Sequence, residues 1–241
     1  MIELIGFDAD DTLWENELYY RQARDEFQAL IHDHLLANGR PEGAPADLDD
    51  LVEATERRNL PYYGFGVMSF ILSLIETAVE VTSGCINSTD IGRLLAIAKR
   101  MISAEVELFD QVEDVLADLY GSCPMVLITK GDLLHQGAKV DRSGLKRYFA
   151  AVEVVADKTP EVYAAILQRQ GVAPERFVMV GNSMRSDILP VVALGGRGVY
   201  VPNAGTWAYE NVAPPEEAGG RILQARTLGD VPAVIRGMVI E

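Results

Sequence analysis

Three aspartates, Asp8, Asp10 and Asp11, fall within four positions directly after the apolar run that starts the stretch "IELIGFDADDTLW". Carboxylates this close raise one another's proton affinity unless something positive sits among them. Either they lie splayed in water, or they hold a cation and do chemistry. Residues two apart on an extended strand point the same way, so Asp8 and Asp10 can face one substrate if the strand continues that far. Three later apolar runs also end in reactive side chains. "MVLIT" ends in Thr129 and is followed by Lys130 and Gly131; "VEVV" is followed by Asp157, Lys158, Thr159 and Pro160; "FVMVG" is followed by Asn182, Ser183, Met184, Arg185, Ser186 and Asp187. A nucleophilic carboxylate, a hydroxyl, an ammonium group and oxygen ligands of the kind that bind hard metal ions are thus repeated at strand ends.

The elements that must position these groups are legible in the periodicity. The strands 125–129, 152–155, 177–181 and 198–201 alternate with helical stretches near 132–143, 159–170 and 185–194. Strands alternating with helices of about ten residues imply βαβ units and a parallel sheet. Ligands of such sheets bind at the carboxyl ends of the strands. Between Trp14 and about Phe109 only helical periodicity occurs: Tyr19, Ala23, Phe27, Leu30 and Ile31 share one face, and further stretches run near 47–58, 66–82 and 88–107. The expected fold is therefore α/β, a Rossmann-like parallel sheet with helices on both faces, formed by 1–14 and 108–241. An inserted α-helical cap occupies 15–107.

The four strand-end clusters, in this order, resemble the motifs of haloacid-dehalogenase-superfamily hydrolases of the phosphatase type with an α-helical cap. The resemblance implies that Asp8 attacks phosphorus and forms an aspartyl phosphate, which splits one difficult displacement into two. Asp10 then protonates the leaving alcohol and activates water. Mg²⁺ is implied as cofactor, held by Asp8, the Asp10 backbone carbonyl, Asp187 and, in the position where the family often has an acid, Asn182. Thr129, with the backbone N–H groups of Lys130 and Gly131, would hold the phosphoryl oxygens, and Lys158 would bridge Asp8 and the transferring group. Dehalogenating members lack an acid two places after the nucleophile, so Asp10 favours phosphoryl transfer. The family's phosphonate-cleaving branch uses a cap lysine, and no lysine lies between Trp14 and Ala98. The function expected is a Mg²⁺-dependent phosphatase acting on a small phosphorylated metabolite. The alternatives are a phosphotransferase or mutase of the same fold and, from another class, a non-catalytic binding module.

Composition narrows the partners. The chain carries 21 basic and 36 acidic residues, a formal charge of −15, which argues against nucleic acid, since phosphate backbones are bound through basic surfaces. The most apolar stretch, "VMSFILSLIETAVEV", is interrupted by Glu76 and Glu80 and is too short to span a bilayer. No basic leader precedes the first strand, and no protein partner is evident, so a cytoplasmic enzyme is expected. Cys85 and Cys123 lack metal-site spacing and read as reduced, buried thiols. Asp11 is expected to be an exposed or backbone-bonding aspartate in a turn that Thr12 helps to fix. The segment "VAPPEEAGG" reads as a turn-rich loop.

Overall fold

The computed structural model describes residues 1–40, 42–213 and 220–238, so most of the loop expected at 212–220 lies outside the described residues. The chain divides into two compact units, Met1–Glu17 with Val106–Glu241, and Leu18–Glu105.

The first unit is built on β1 (Leu4–Phe7), β2 (Met125–Lys130), β3 (Ala151–Val155), β4 (Phe177–Gly181), β5 (Arg197–Tyr200) and β6 (Ile222–Gln224). All neighbours pair in parallel, in the order β3-β2-β1-β4-β5-β6. The short β6 was not expected from the sequence. It adds a strand outside the 198–201 segment, which is therefore not the last in the sheet. Strand order reverses at β1, which lies between β2 and β4, and such a switch point leaves a crevice at the carboxyl ends of the flanking strands.

Helices cover both faces, which explains why β1, β2 and β4 are continuously apolar. Ile5, Phe7, Leu127, Val178 and Val180 pack with Val115 and Leu116 of one helix and with Val231 and Ile235 near the carboxyl end. The alternate residues Leu4, Val126, Ile128, Phe177 and Met179 pack on the other face with Tyr163, Ile166 and Leu167.

The second unit is all helical: α1 (Glu17–Ala37) from its second residue onward, α2 (Leu48–Tyr63), α3 (Val67–Val81) and α4 (Ser88–Ser103). Its own core gathers Phe27, Leu30 and Ile31 of α1, Val52 of α2, Phe70 and Leu74 of α3, and Leu94 and Ile97 of α4. A buried pair, His34 Nδ1 to Asp90 Oδ2 at 2.8 Å, ties α1 to α4. Helix α2 runs past Pro61, further than the periodicity near 47–58 implied. Both cysteines are free thiols, but Cys85 is exposed and Cys123 only partly buried, which corrects the expectation that both are buried. No helix among the described residues is long and apolar enough to cross a membrane.

Candidate active site

Strand β1 delivers Asp8 to the sheet edge, where its N–H donates to the Val180 carbonyl at 2.9 Å. The chain then stops being extended. The N–H groups of Thr12 and Leu13 turn back to the Ala9 carbonyl, and Asp11 adopts φ +62°, a left-handed conformation that aspartate tolerates better than most residues. Asp8 and Asp10 consequently bond to different partners, and the strand geometry that puts residues two apart on one face does not hold here.

Asp8 is 6% exposed. Its Oδ1 accepts from Lys158 Nζ at 2.5 Å and its Oδ2 from the Thr12 hydroxyl at 2.8 Å. The same Nζ donates to Asp187 Oδ1 at 2.7 Å, and both Lys158 and Asp187 are buried. Two carboxylates thus share one ammonium group. Burial, and then the neighbouring Asp8 charge, push Asp187 up to about 7 despite Lys158. Burial acts to lower the Lys158 ammonium, but the adjacent Asp187 and Asp8 hold it well above its ordinary value. The group is one positive charge short.

Asp187 reaches this spot through a π turn. Residues Met184–Ile188 carry i→i+5 bonds, with the Ile188 N–H on the Ser183 carbonyl at 3.3 Å, before the short helix Leu189–Ala193. The extra residue per turn swings Asp187 back over the end of β4. There a Cβ on Gly181 would collide with the Asp187 carboxylate, so this strand has to end in glycine. The Ser183 N–H donates to Asp187 Oδ2 at 2.9 Å. Asn182 faces Thr12: its N–H donates to the Thr12 hydroxyl at 3.0 Å, its Oδ1 lies 3.1 Å from that hydroxyl, and its Nδ2 donates to Thr206 at 2.8 Å.

Asp10 is held apart from this group. Its Oδ1 accepts from Trp14 Nε1 at 2.6 Å and Lys139 Nζ at 2.5 Å, and its Oδ2 accepts from Gln136 Nε2 at 2.8 Å. Burial acts to raise its carboxyl, but the Lys139 charge and the three hydrogen bonds outweigh burial and leave it below the usual range. Lys139 also donates to Asn16 Oδ1 at 2.8 Å.

Thr129 is buried at the end of β2, next to β1. Gly131 departs from the expectation. Its N–H donates to the Val155 carbonyl at 3.0 Å, because β2 remains paired with β3 to its tip, so this amide is not available to a phosphoryl oxygen. The Lys130 side chain is drawn to Glu210 and to the Ser186 hydroxyl at 2.9 Å. Glu210 was not expected from the sequence. It sits in an irregular segment after β5, yet it is buried and accepts from Ser183 Oγ at 2.6 Å and Ser186 Oγ at 2.5 Å. Burial acts to raise Glu210, but Lys130 and the two serines bring it below its ordinary value.

Of the two alternatives expected for Asp11, exposed or backbone-bonding, the second holds and the side chain is buried: its Oδ1 accepts from the N–H groups of Asn16 at 3.0 Å and Glu17 at 2.9 Å, where α1 starts and its first donors lack helical partners. Burial first, and then Asp10, raise its carboxyl from 3.8 to about 7 despite these bonds. Between those two values the folded chain binds more protons than the unfolded one, so Asp11 makes stability fall as pH rises through that window. Asp11→Asn keeps the accepting oxygen and removes the titration. In melts with a chelator present, it is expected to match the native chain near the bottom of that window and to exceed it above the top. Parallel pH profiles for the two proteins would contradict this account.

A family model described as haloacid dehalogenase-like hydrolase matches residues 2–195. No curated protein matches. Among solved structures, a haloacid dehalogenase-like family hydrolase from Xanthomonas campestris is 39% identical, with 98% of this chain and 91% of that chain covered and a TM-score of 0.84. An L-2-haloacid dehalogenase from Xanthobacter autotrophicus is 18% identical, with 99% and 100% covered and a TM-score of 0.63. The magnesium-bound HAD-hydrolase YfnB from Bacillus subtilis is 14% identical, with 98% and 99% covered and a TM-score of 0.67. At these last two identities the likeness is one of fold.

Proposed function

Because the chain belongs to the haloacid dehalogenase-like hydrolase family, we propose that it is a Mg²⁺-dependent phosphatase acting on a small phosphorylated metabolite, with Asp8 as nucleophile. The observation that carries this reading is the buried group in which Lys158 Nζ joins Asp8 at 2.5 Å and Asp187 at 2.7 Å. Lys158 aims the Asp8 carboxylate, and its charge is placed to stabilise phosphoryl oxygens as they gain charge. Thr12 fixes the other Asp8 oxygen.

The donor set suits a hard divalent ion. Two buried carboxylates converge on one cation and leave negative charge uncompensated. Among the described residues no cluster of three or more His, Cys, Asp or Glu side chains could hold a metal. An ion held by Asp8 and Asp187 would therefore complete its shell with a backbone carbonyl, the resemblance pointing to that of Asp10, and with water, as Mg²⁺ commonly does. When bound, it would supply the missing positive charge to phosphate and carboxylates alike. The Asn182 amide is turned to Thr12 and Thr206, which suits it better to orienting the site than to ligating the ion.

Asp10 selects phosphoryl transfer over halide displacement in this reading, since an alkoxide leaving group needs a proton and a halide does not. To give one, it must leave Lys139, which holds it ionised. The helical insert takes the part of the family's cap. Purified protein is expected to release phosphate from an aryl phosphate with Mg²⁺ and to lose that activity with a chelator. Halide release from a 2-haloacid, with no phosphate release, would overturn the proposal.

A further inference from the structure

Beyond the carboxylates already assigned, one more buried acid among the described residues of the first unit, Glu210, touches the site, and both its oxygens are bonded. One Glu210 oxygen pairs with Lys130 Nζ. The other accepts from Ser183 Oγ at 2.6 Å and Ser186 Oγ at 2.5 Å. Each serine hydroxyl spends its single proton on Glu210 and remains an acceptor: Ser183 Oγ takes the Ser186 N–H at 2.9 Å, and Ser186 Oγ takes Lys130 Nζ at 2.9 Å. The Glu210 carbonyl also accepts the Arg185 N–H at 3.2 Å. These are the residues of the π turn that flank Asp187, and Ser183 holds Asp187 directly through its N–H. Glu210 is 7% exposed, so its charge is tolerated only because these donors converge on it.

We propose that Glu210 is a positioning residue for the phosphatase site: its carboxylate fixes the π turn that aims Asp187 and parks the Lys130 ammonium at the strand end that carries Thr129. The kinetic part of this inference rests on the phosphatase reading; the positional part does not. Glutamine keeps one accepting oxygen and turns an NH2 toward the remaining donors, so either the serines or Lys130 meet a donor, and Lys130 loses its counter-charge in both cases. The turn that presents Asp187 is then less firmly held, although Lys158 and the Ser183 N–H still bond its carboxylate.

Glu210→Gln tests this with three readouts. Hydrogen exchange of the 182–189 backbone, and acylation of Lys130 at neutral pH followed by mass spectrometry, are each expected to rise about tenfold, the size of one charged hydrogen bond lost. Calorimetric titration with Mg²⁺ alone is expected to show roughly tenfold weaker binding, and aryl phosphate turnover a similar fall in kcat with KM little changed. Glu210→Asp, which keeps the charge, is expected to recover part of each. Ser186→Ala, which removes one link without removing the charge, should move exchange in the same direction even if Glu210→Gln does not fold. Wild-type exchange and Lys130 labelling in the folded variants overturn the inference. If the native protein neither binds Mg²⁺ nor releases phosphate, the phosphatase reading falls, and exchange and labelling still decide the position of Glu210.

Discussion

Asp8→Asn is expected to lower kcat/KM for phosphate ester hydrolysis by about 10⁴-fold or more, in line with the loss of a nucleophile in other enzymes. The fold should survive the change. Asparagine keeps one oxygen to accept from Lys158, which holds Asp8 at 2.5 Å, and its NH2 can donate to the Thr12 hydroxyl, whose own proton then turns to Asn182 Oδ1, 3.1 Å away. Removing one of the two buried negative charges also leaves Lys158 with a single carboxylate, Asp187, so the melting temperature should stay near that of the native chain or rise. The pairing of a collapsed rate with an intact melt is the diagnostic result. A metal-dependent activity that persists at full rate in a clean preparation of this variant would show that another group attacks phosphorus.

Lys158→Met has the opposite profile. Methionine fills much of the same volume but leaves Asp8 and Asp187 buried side by side with no cation between them. Breaking a buried pair in this way costs about 3–5 kcal/mol, a fall in melting temperature of about 6–20 °C for a chain of this size. Two conditions should restore part of the loss. Mg²⁺ should stabilise the variant more than the native chain, because the charge deficit it can fill is larger. Acid should also help. Asp187 already stands at about 7 with the lysine present, and without it protonation becomes easier, so stability returns as pH falls. A variant that melts with the native chain in chelator at neutral pH would mean that Lys158 is not what makes the two carboxylates compatible.

How much of this was legible in the sequence depends on what each residue's position rests on. Strands β1, β2 and β4 announced themselves because sheets covered on both faces demand unbroken apolar runs, and polar residues at strand ends fall at one edge by topology alone. That logic brought Asp8, Lys158 and Asp187 to one place correctly. It did not reach Asp10, whose direction depends on the left-handed turn at Asp11 and on Lys139 and Gln136 from a helix more than a hundred residues on. Nor did it reach Gly131, whose amide is claimed by a strand pairing that runs one residue further than the hydrophobic pattern. Glu210 had no signal at all. The stretch "NAGTWAYEN" has no period, and an acid in a loop is ordinarily solvated; only the tertiary approach of two serines and a lysine makes this one buried. β6 failed for a related reason, since three residues of partly buried strand carry too little alternation to stand out.

The position of β1 at the centre of the sheet also sets an order of assembly. Its neighbours are Met125–Lys130 and Phe177–Gly181, so at about 5–20 residues per second a ribosome exposes the first strand roughly ten to thirty seconds before its second flank exists. The helical block 18–105 draws on contiguous chain and can close its core while that strand waits. On a nascent polypeptide Asp8 is therefore made well before the second of the strands that enclose it.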